Sequence, residues 1–119
     1  MKNSLEQLRE YQASWMDFAA SNETSQNVIN AFGAMRNACC SEDGPLDLKT
    51  LELISIAVAV ARKCEPCILS HVEVAVDIGI KREELAAALN TAILLCGGPG
   101  WAYSAFALKA FDSITEAKK

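Results

Sequence analysis

Leu53-Ile54-Ser55-Ile56-Ala57-Val58-Ala59-Val60-Ala61 is the densest apolar run of the chain. As a helix it is apolar on most sides, which implies burial on more than one face. Asp47 stands where an N-cap is expected, so the spacing predicts a helix from there to about Arg62. The run is about half the ~20 residues that a bilayer span requires. It therefore reads as the central helix of a packed core and not as a membrane anchor.

Working outward, the periodicity stays helical on both sides. Upstream, Ser4-Leu5-Glu6-Gln7 has the spacing of a capping box, and Leu5, Leu8, Tyr11, Trp15 and Phe18 form one stripe up to Ala20. After the break at Ser21-Asn22, a second stripe joins Val28, Phe32, Met35 and Cys39. Ser41-Glu42-Asp43-Gly44-Pro45 is a turn cluster. Downstream, Lys63-Cys64-Glu65 is a short connection and Pro66 fits the first turn of a fourth helix. That helix ends at Gly79, a residue suited to the left-handed position after a helix. A fifth runs from about Arg82 to Leu95, Gly97-Gly98-Pro99-Gly100 stops it, and a sixth runs from Trp101 to about Glu116. No alternating run or hairpin turn signals a strand. The expected fold is all-α, a single domain over 1–119 built as a bundle of about six helices, with 1–44 forming two N-terminal helices. The helices beginning near Asp47, Pro66 and Arg82 are too apolar for those two to shield alone, so an interface between subunits is expected.

Composition narrows the function classes. A chain of 119 residues suits one core and can bury roughly 65% of its unfolded surface without metal or disulfide support. Eleven Lys and Arg against fifteen Asp and Glu leave a net charge of −4, which argues against a nucleic-acid or anionic-membrane partner. At 51% hydrophobic residues the chain is too apolar for disorder. The first ten residues lack the apolar segment of a secretory signal. Five cysteines, an odd number not spread as a disulfide framework, point to a reducing cytoplasm. Thiols there are inert, metal-bound or catalytic.

The cysteines that carry chemistry are Cys64 and Cys67. Cys64-Glu65-Pro66-Cys67 is a C-x-x-C, and His71 follows Cys67 by four residues. On a helix, positions i and i+4 share a face with Cβ atoms ~5–6 Å apart. Both thiols lie near a helix N-terminus, whose unpaired N–H groups favour thiolate. A thiol pKa lowered from ~8.5 to ~6.5 would raise the thiolate fraction at neutral pH from roughly 3% to roughly 75%. His71 is the only histidine, so imidazole chemistry must pass through it. Glu52, on the preceding helix, is the best candidate to orient it. Cys64, at the helix mouth, is the thiol expected to meet an incoming partner.

The pattern Glu52-x11-Cys64-x2-Cys67-x3-His71 resembles the active-site signature of the alkylhydroperoxidase D-like branch of the carboxymuconolactone decarboxylase superfamily. Leu51-Glu52-Leu53-Ile54, His71-Val72-Glu73, Gly79 and Gly97-Gly98-Pro99 agree with it, and the resemblance covers roughly Pro45 to Phe111. It implies an all-α fold assembled as trimers or hexamers. It also implies peroxide reduction by thiols without a cofactor or metal, using a hydroperoxide and a thiol or dithiol reductant such as a lipoyl-bearing protein. By position, Cys67 attacks the peroxide and becomes a sulfenic acid, Cys64 resolves it to a disulfide, and Glu52 and His71 relay protons. Pro66 stands where some members carry a histidine. That departure bears on the peroxide step and leaves the dithiol intact.

Other readings stand beside this one. C-x-x-C with His71 could bind zinc, with Glu52 or another cysteine as fourth ligand, in a zinc-binding or redox-sensing protein. Structural zinc sites usually present a second knuckle, which is missing here. A lactone decarboxylase, the activity for which the superfamily is named, needs acid–base groups and no cysteine pair. Thioredoxin-type chemistry requires a βαβ context. Cys39 continues the Phe32 and Met35 stripe, so buried packing is expected there, and likewise for Cys96 beside Leu94 and Leu95.

Overall fold

Asp47 caps the helix that carries the apolar run: its Oδ1 accepts the Thr50 N–H at 2.8 Å. The computed structural model describes residues 4–119, and these form α1 (Ser4–Ala19), α2 (Glu23–Cys39), α3 (Leu48–Ala61), α4 (Glu65–Asp77) and α5 (Arg82–Ala117). No strand occurs among the described residues. The chain divides into two compact units, the first up to Gly44 and the second Pro45–Lys119.

In the second unit α3, α4 and α5 pack pairwise. Ile56, Val60, Ile68, Val72 and Leu85 are almost wholly buried where they meet, and Ala59, Ala75 and Ala107 keep the helices close. The apolar run is thus the hub of three helices, although Ile54 and Val58 on its outer face stay about half exposed.

The connection from α3 to α4 is as short as two capping motifs allow. Lys63 N–H bonds to Val60 O at 3.0 Å and Cys64 N–H to Ala59 O at 3.1 Å, the paired bonds that close a helix around one left-handed residue. That residue is Lys63, at φ 56°, where glycine is usual. Cys64 follows at once as the N-cap of α4. The end of α4 repeats the device in its ordinary form. Gly79, at φ 82°, donates to Val76 O, and Ile80 N–H to Ala75 O.

Five helices stand where about six were expected, because the fifth and sixth join in α5. They are not one rod. Gly97 leaves helical geometry at φ 65°, ψ −138°, a region open almost only to glycine. Arg82 and Asp112 then pair through Nε–Oδ1 at 2.9 Å and Nη2–Oδ2 at 3.1 Å. In a straight helix they would stand about 45 Å apart. The two arms therefore fold back on each other at Gly97. Gly100 lies so close to the first arm that a Cβ there would come 2.8 Å from the Ala92 carbonyl oxygen. By length and composition alone α5 could cross a membrane, but as a hairpin it does not present that length.

In the first unit, Asn22 caps α2 by accepting Ser25 N–H at 2.9 Å, and α1 packs on α2. Ser4 is already helical, so it does not hold the capping position expected of it. Leu8 and Ala19 are buried, whereas α2 buries no side chain. Two expectations are corrected here. Phe32 and Met35 are exposed, and Cys39 with them. The stripe on α2 has no further layer to bury it within its own unit. Cys96 is half-buried beside exposed Leu94 and Leu95, because the Gly97 break carries the end of the first arm to the surface.

Candidate functional site

The turn between α3 and α4 builds the site. Cys64 is held from both sides: its N–H bonds back to α3 at Ala59, and its carbonyl accepts the Ile68 N–H of α4 at 2.9 Å. Its Sγ accepts the Cys67 N–H at 3.2 Å, so a sulfur does the capping work usually done by a serine or aspartate oxygen. Pro66 sits in the first turn, where its missing N–H is not needed. Cys64 and Cys67, with Cα atoms 5.2 Å apart, are joined in a disulfide.

One turn beyond Cys67, His71 reaches across to α3. Its Nδ1 lies 2.8 Å from Oε2 of Glu52. The single-residue turn at Lys63 brings the two helices together in the register that this contact needs. Glu52 is 1% exposed, a carboxylate among apolar neighbours, and the His71 side chain is 21% exposed. With the proton on Nδ1, His71 donates to the carboxylate and leaves Nε2 to accept a proton at the open side of the site. A buried acid orienting a partly exposed imidazole, beside a redox disulfide at a helix mouth, can take a proton from a thiol and return it to a leaving group.

The four singled-out residues thus form two pairs on α3, α4 and the turn between them, Cys64 with Cys67 and Glu52 with His71. The exposure of the two cysteine residues is the reverse of that expected. Cys67 is exposed and Cys64 only half-exposed. The N-cap residue faces into the turn it closes, whereas the first-turn residue faces outward. Lys63 was not singled out by sequence reading, since a lysine carries no signal for a left-handed backbone. Among the described residues no three His, Cys, Asp or Glu side chains gather as a metal site. The zinc reading needs Cys64 and Cys67 as thiolates, and here they are bonded to each other.

An all-helical unit with a C-x-x-C disulfide and a carboxylate–imidazole pair defines a class of thiol-bearing helical proteins. The chain belongs to the carboxymuconolactone decarboxylase family, which residues 26–110 match. The match starts in α2, well before the signature that the sequence displays. A carboxymuconolactone decarboxylase family protein of Legionella pneumophila superposes with a TM-score of 0.83 at 32% identity, covering 96% of this chain and 99% of that one. One from Thermotoga maritima gives 0.75 at 21% identity over 94% and 92%, a likeness of fold. Among curated sequences, an uncharacterized protein of Cupriavidus necator is 35% identical over 97 residues, which are 82% of this chain and 85% of that one. One from Haemophilus influenzae is 46% identical over 85 residues, 71% and 74% of the two chains.

Proposed function

We propose that the protein is a thiol-dependent peroxidase of the alkylhydroperoxidase D-like branch of its family. The observation that carries this reading is the 2.8 Å contact between His71 Nδ1 and Glu52 Oε2, one turn along α4 from the Cys64–Cys67 disulfide. In the reduced enzyme Cys67 gives its proton to His71 Nε2, and its thiolate attacks the outer peroxide oxygen. An S–O bond forms, the O–O bond breaks, and the alkoxide leaves as an alcohol with the proton from His71. Cys64 then attacks the sulfenic acid at Cys67. The S–S bond forms and water departs. Two electrons have passed from the dithiol to the peroxide, and a thiol or dithiol reductant returns them. The working form we propose is a homo-oligomer, trimer or hexamer, in a reducing cytoplasm.

The test is a single-turnover peroxide assay with dimedone trapping. Cys64→Ser should consume one equivalent of hydroperoxide and hold a sulfenic acid on Cys67, and Cys67→Ser should consume none. Trapping only at Cys64 would reverse the roles. Inertness of the wild type toward every peroxide would remove the peroxidase reading, and lactone turnover by Cys67→Ser would replace it with a decarboxylase.

A further inference from the structure

The two sulfurs of the disulfide differ in ways that bear on how the enzyme is re-reduced. Cys64 is fixed at the helix joint through its N–H and its carbonyl, and its sulfur accepts the Cys67 N–H. Cys67 has neither constraint on its sulfur and is the more exposed of the two. Thiol–disulfide exchange requires the attacking thiolate, the attacked sulfur and the leaving sulfur in line, and it goes faster when the leaving thiolate is better stabilised.

We infer that the reductant attacks Cys67 and expels Cys64, so that the covalent intermediate with the electron donor is carried on Cys67. This rests on the dithiol reading above but does not depend on the peroxide half of it. In the first step a donor thiolate forms a new S–S bond to Cys67 Sγ, and the Cys64–Cys67 bond breaks. The electron pair leaves on Cys64 Sγ, in place to accept the Cys67 N–H at the positive end of α4. In the second step another donor thiolate attacks the donor sulfur of the mixed disulfide. Cys67 leaves as a thiolate, and the donor departs as its own disulfide. Proton and electron counts close: two thiols are oxidised and one disulfide is reduced.

The geometry also says why the order matters. Attack on Cys64 would require a donor to reach the less exposed residue of the pair and would leave the new bond on the capping atom. Attack on Cys67 leaves the backbone of the turn untouched. The exposed groups that a donor meets there are Arg62, Lys63, Glu65 and Pro66. Of these only the Pro66 ring is apolar. The donor class this suits is a slim thiol, free or at the end of a flexible arm, and not a broad apolar protein face.

The experiment uses the oxidised wild-type chain and glutathione as the probe, with no peroxide present. Acid quenching in the first fraction of the reaction, alkylation and peptide mapping report which cysteine carries glutathione and which is free. The expected result is glutathione on Cys67 and a free thiol at Cys64. Because the leaving Cys64 sulfur is placed to accept the Cys67 N–H at the helix mouth, Cys67 should be favoured roughly tenfold. Glutathione on Cys64, an even split, or a disulfide that glutathione leaves intact overturns the inference. A protein inert to peroxides that still gives the Cys67 adduct loses the peroxidase reading alone. One that consumes peroxide but carries glutathione on Cys64 loses this inference alone.

Discussion

His71 on α4 and Glu52 on α3 meet through one 2.8 Å contact, and this pair ties the stability of the second unit to its chemistry. Glu52 is buried with His71 as partner, so removing the imidazole leaves a carboxylate without its countergroup. Breaking a fully buried pair costs about 3–5 kcal/mol. Since the His71 side chain is 21% exposed and water can enter, we expect His71→Ala to lie near ~2–3 kcal/mol. Glu52→Gln keeps a hydrogen-bonding neutral group and should destabilise less. Both should slow peroxide consumption by roughly 10²–10⁴-fold as losses of an acid–base group. Urea unfolding of the two variants beside single-turnover assays separates the effects. Equal stability loss with unchanged rates would make the pair purely structural.

Lys63 yields a prediction of opposite sign. It holds a left-handed backbone at φ 56°, a conformation that costs a β-carbon-bearing residue about 1 kcal/mol or more. Lys63→Gly should therefore raise stability by roughly 0.5–1 kcal/mol, the relief of strain less the extra freedom of glycine when unfolded. Lys63→Val should lower it, since a β-branched side chain suits that region least. Thermal melts of the three proteins decide it. A destabilised Lys63→Gly would mean that the lysine side chain makes a contact worth more than the strain.

Much of this architecture was legible in the chain. The Asp47 cap, the Gly79 terminus and the glycine-rich break at Gly97 are each announced by a residue with a single physical specialty, and each stands where expected. Cys67 and His71 were legible from spacing, because i, i+4 positions on one helix share a face, and Cys64 completes the C-x-x-C; Glu52, on another helix, could be named only as a candidate partner. What was hidden depends on how helices meet. A stripe such as Phe32, Met35 and Cys39 tells that a helix has an apolar face, but not that a facing layer exists within its unit. The exposure of Cys67 over Cys64 follows from a turn closed by a lysine, which propensity assigns to no such role. The clasp between the arms of α5 joins Arg82 and Asp112, whose separation of 30 residues leaves no local trace.

That same pair sets an acid limit. The Arg82 guanidinium, hydrogen-bonded to Asp112, holds its carboxyl below the usual carboxylate range. A lowered carboxyl binds protons less readily in the folded chain than in the unfolded one. Its contribution is therefore complete above the ordinary value of about 3.9 and is lost as pH falls through the lower folded value. The groups are largely exposed, so the effect should be modest and weaker in high salt. Melting temperature followed from pH ~6 to ~2.5 should fall less steeply for Asp112→Asn than for wild type, the two curves converging at the acid end. Parallel curves would show that the clasp between the arms of α5 does not contribute.

The apolar surface left on the chain leads to the last prediction. Ile54 and Val58, one turn apart on α3, are 47% and 54% exposed, and Leu94, Leu95 and Trp101 at the elbow of α5 are 70% exposed or more. Burying one such leucine contributes about 1.5–3 kcal/mol, so several together supply the driving force for a stable assembly. Light scattering at micromolar concentration should find a trimer or hexamer. Leu94→Lys with Leu95→Lys should shift it to smaller species while the helical circular dichroism is retained, because neither side chain supports the core of its own chain. A monomeric wild type would mean that these side chains face water in solution. An unchanged assembly in the double variant would place the interface elsewhere, on the exposed faces of α1, α2 or α3.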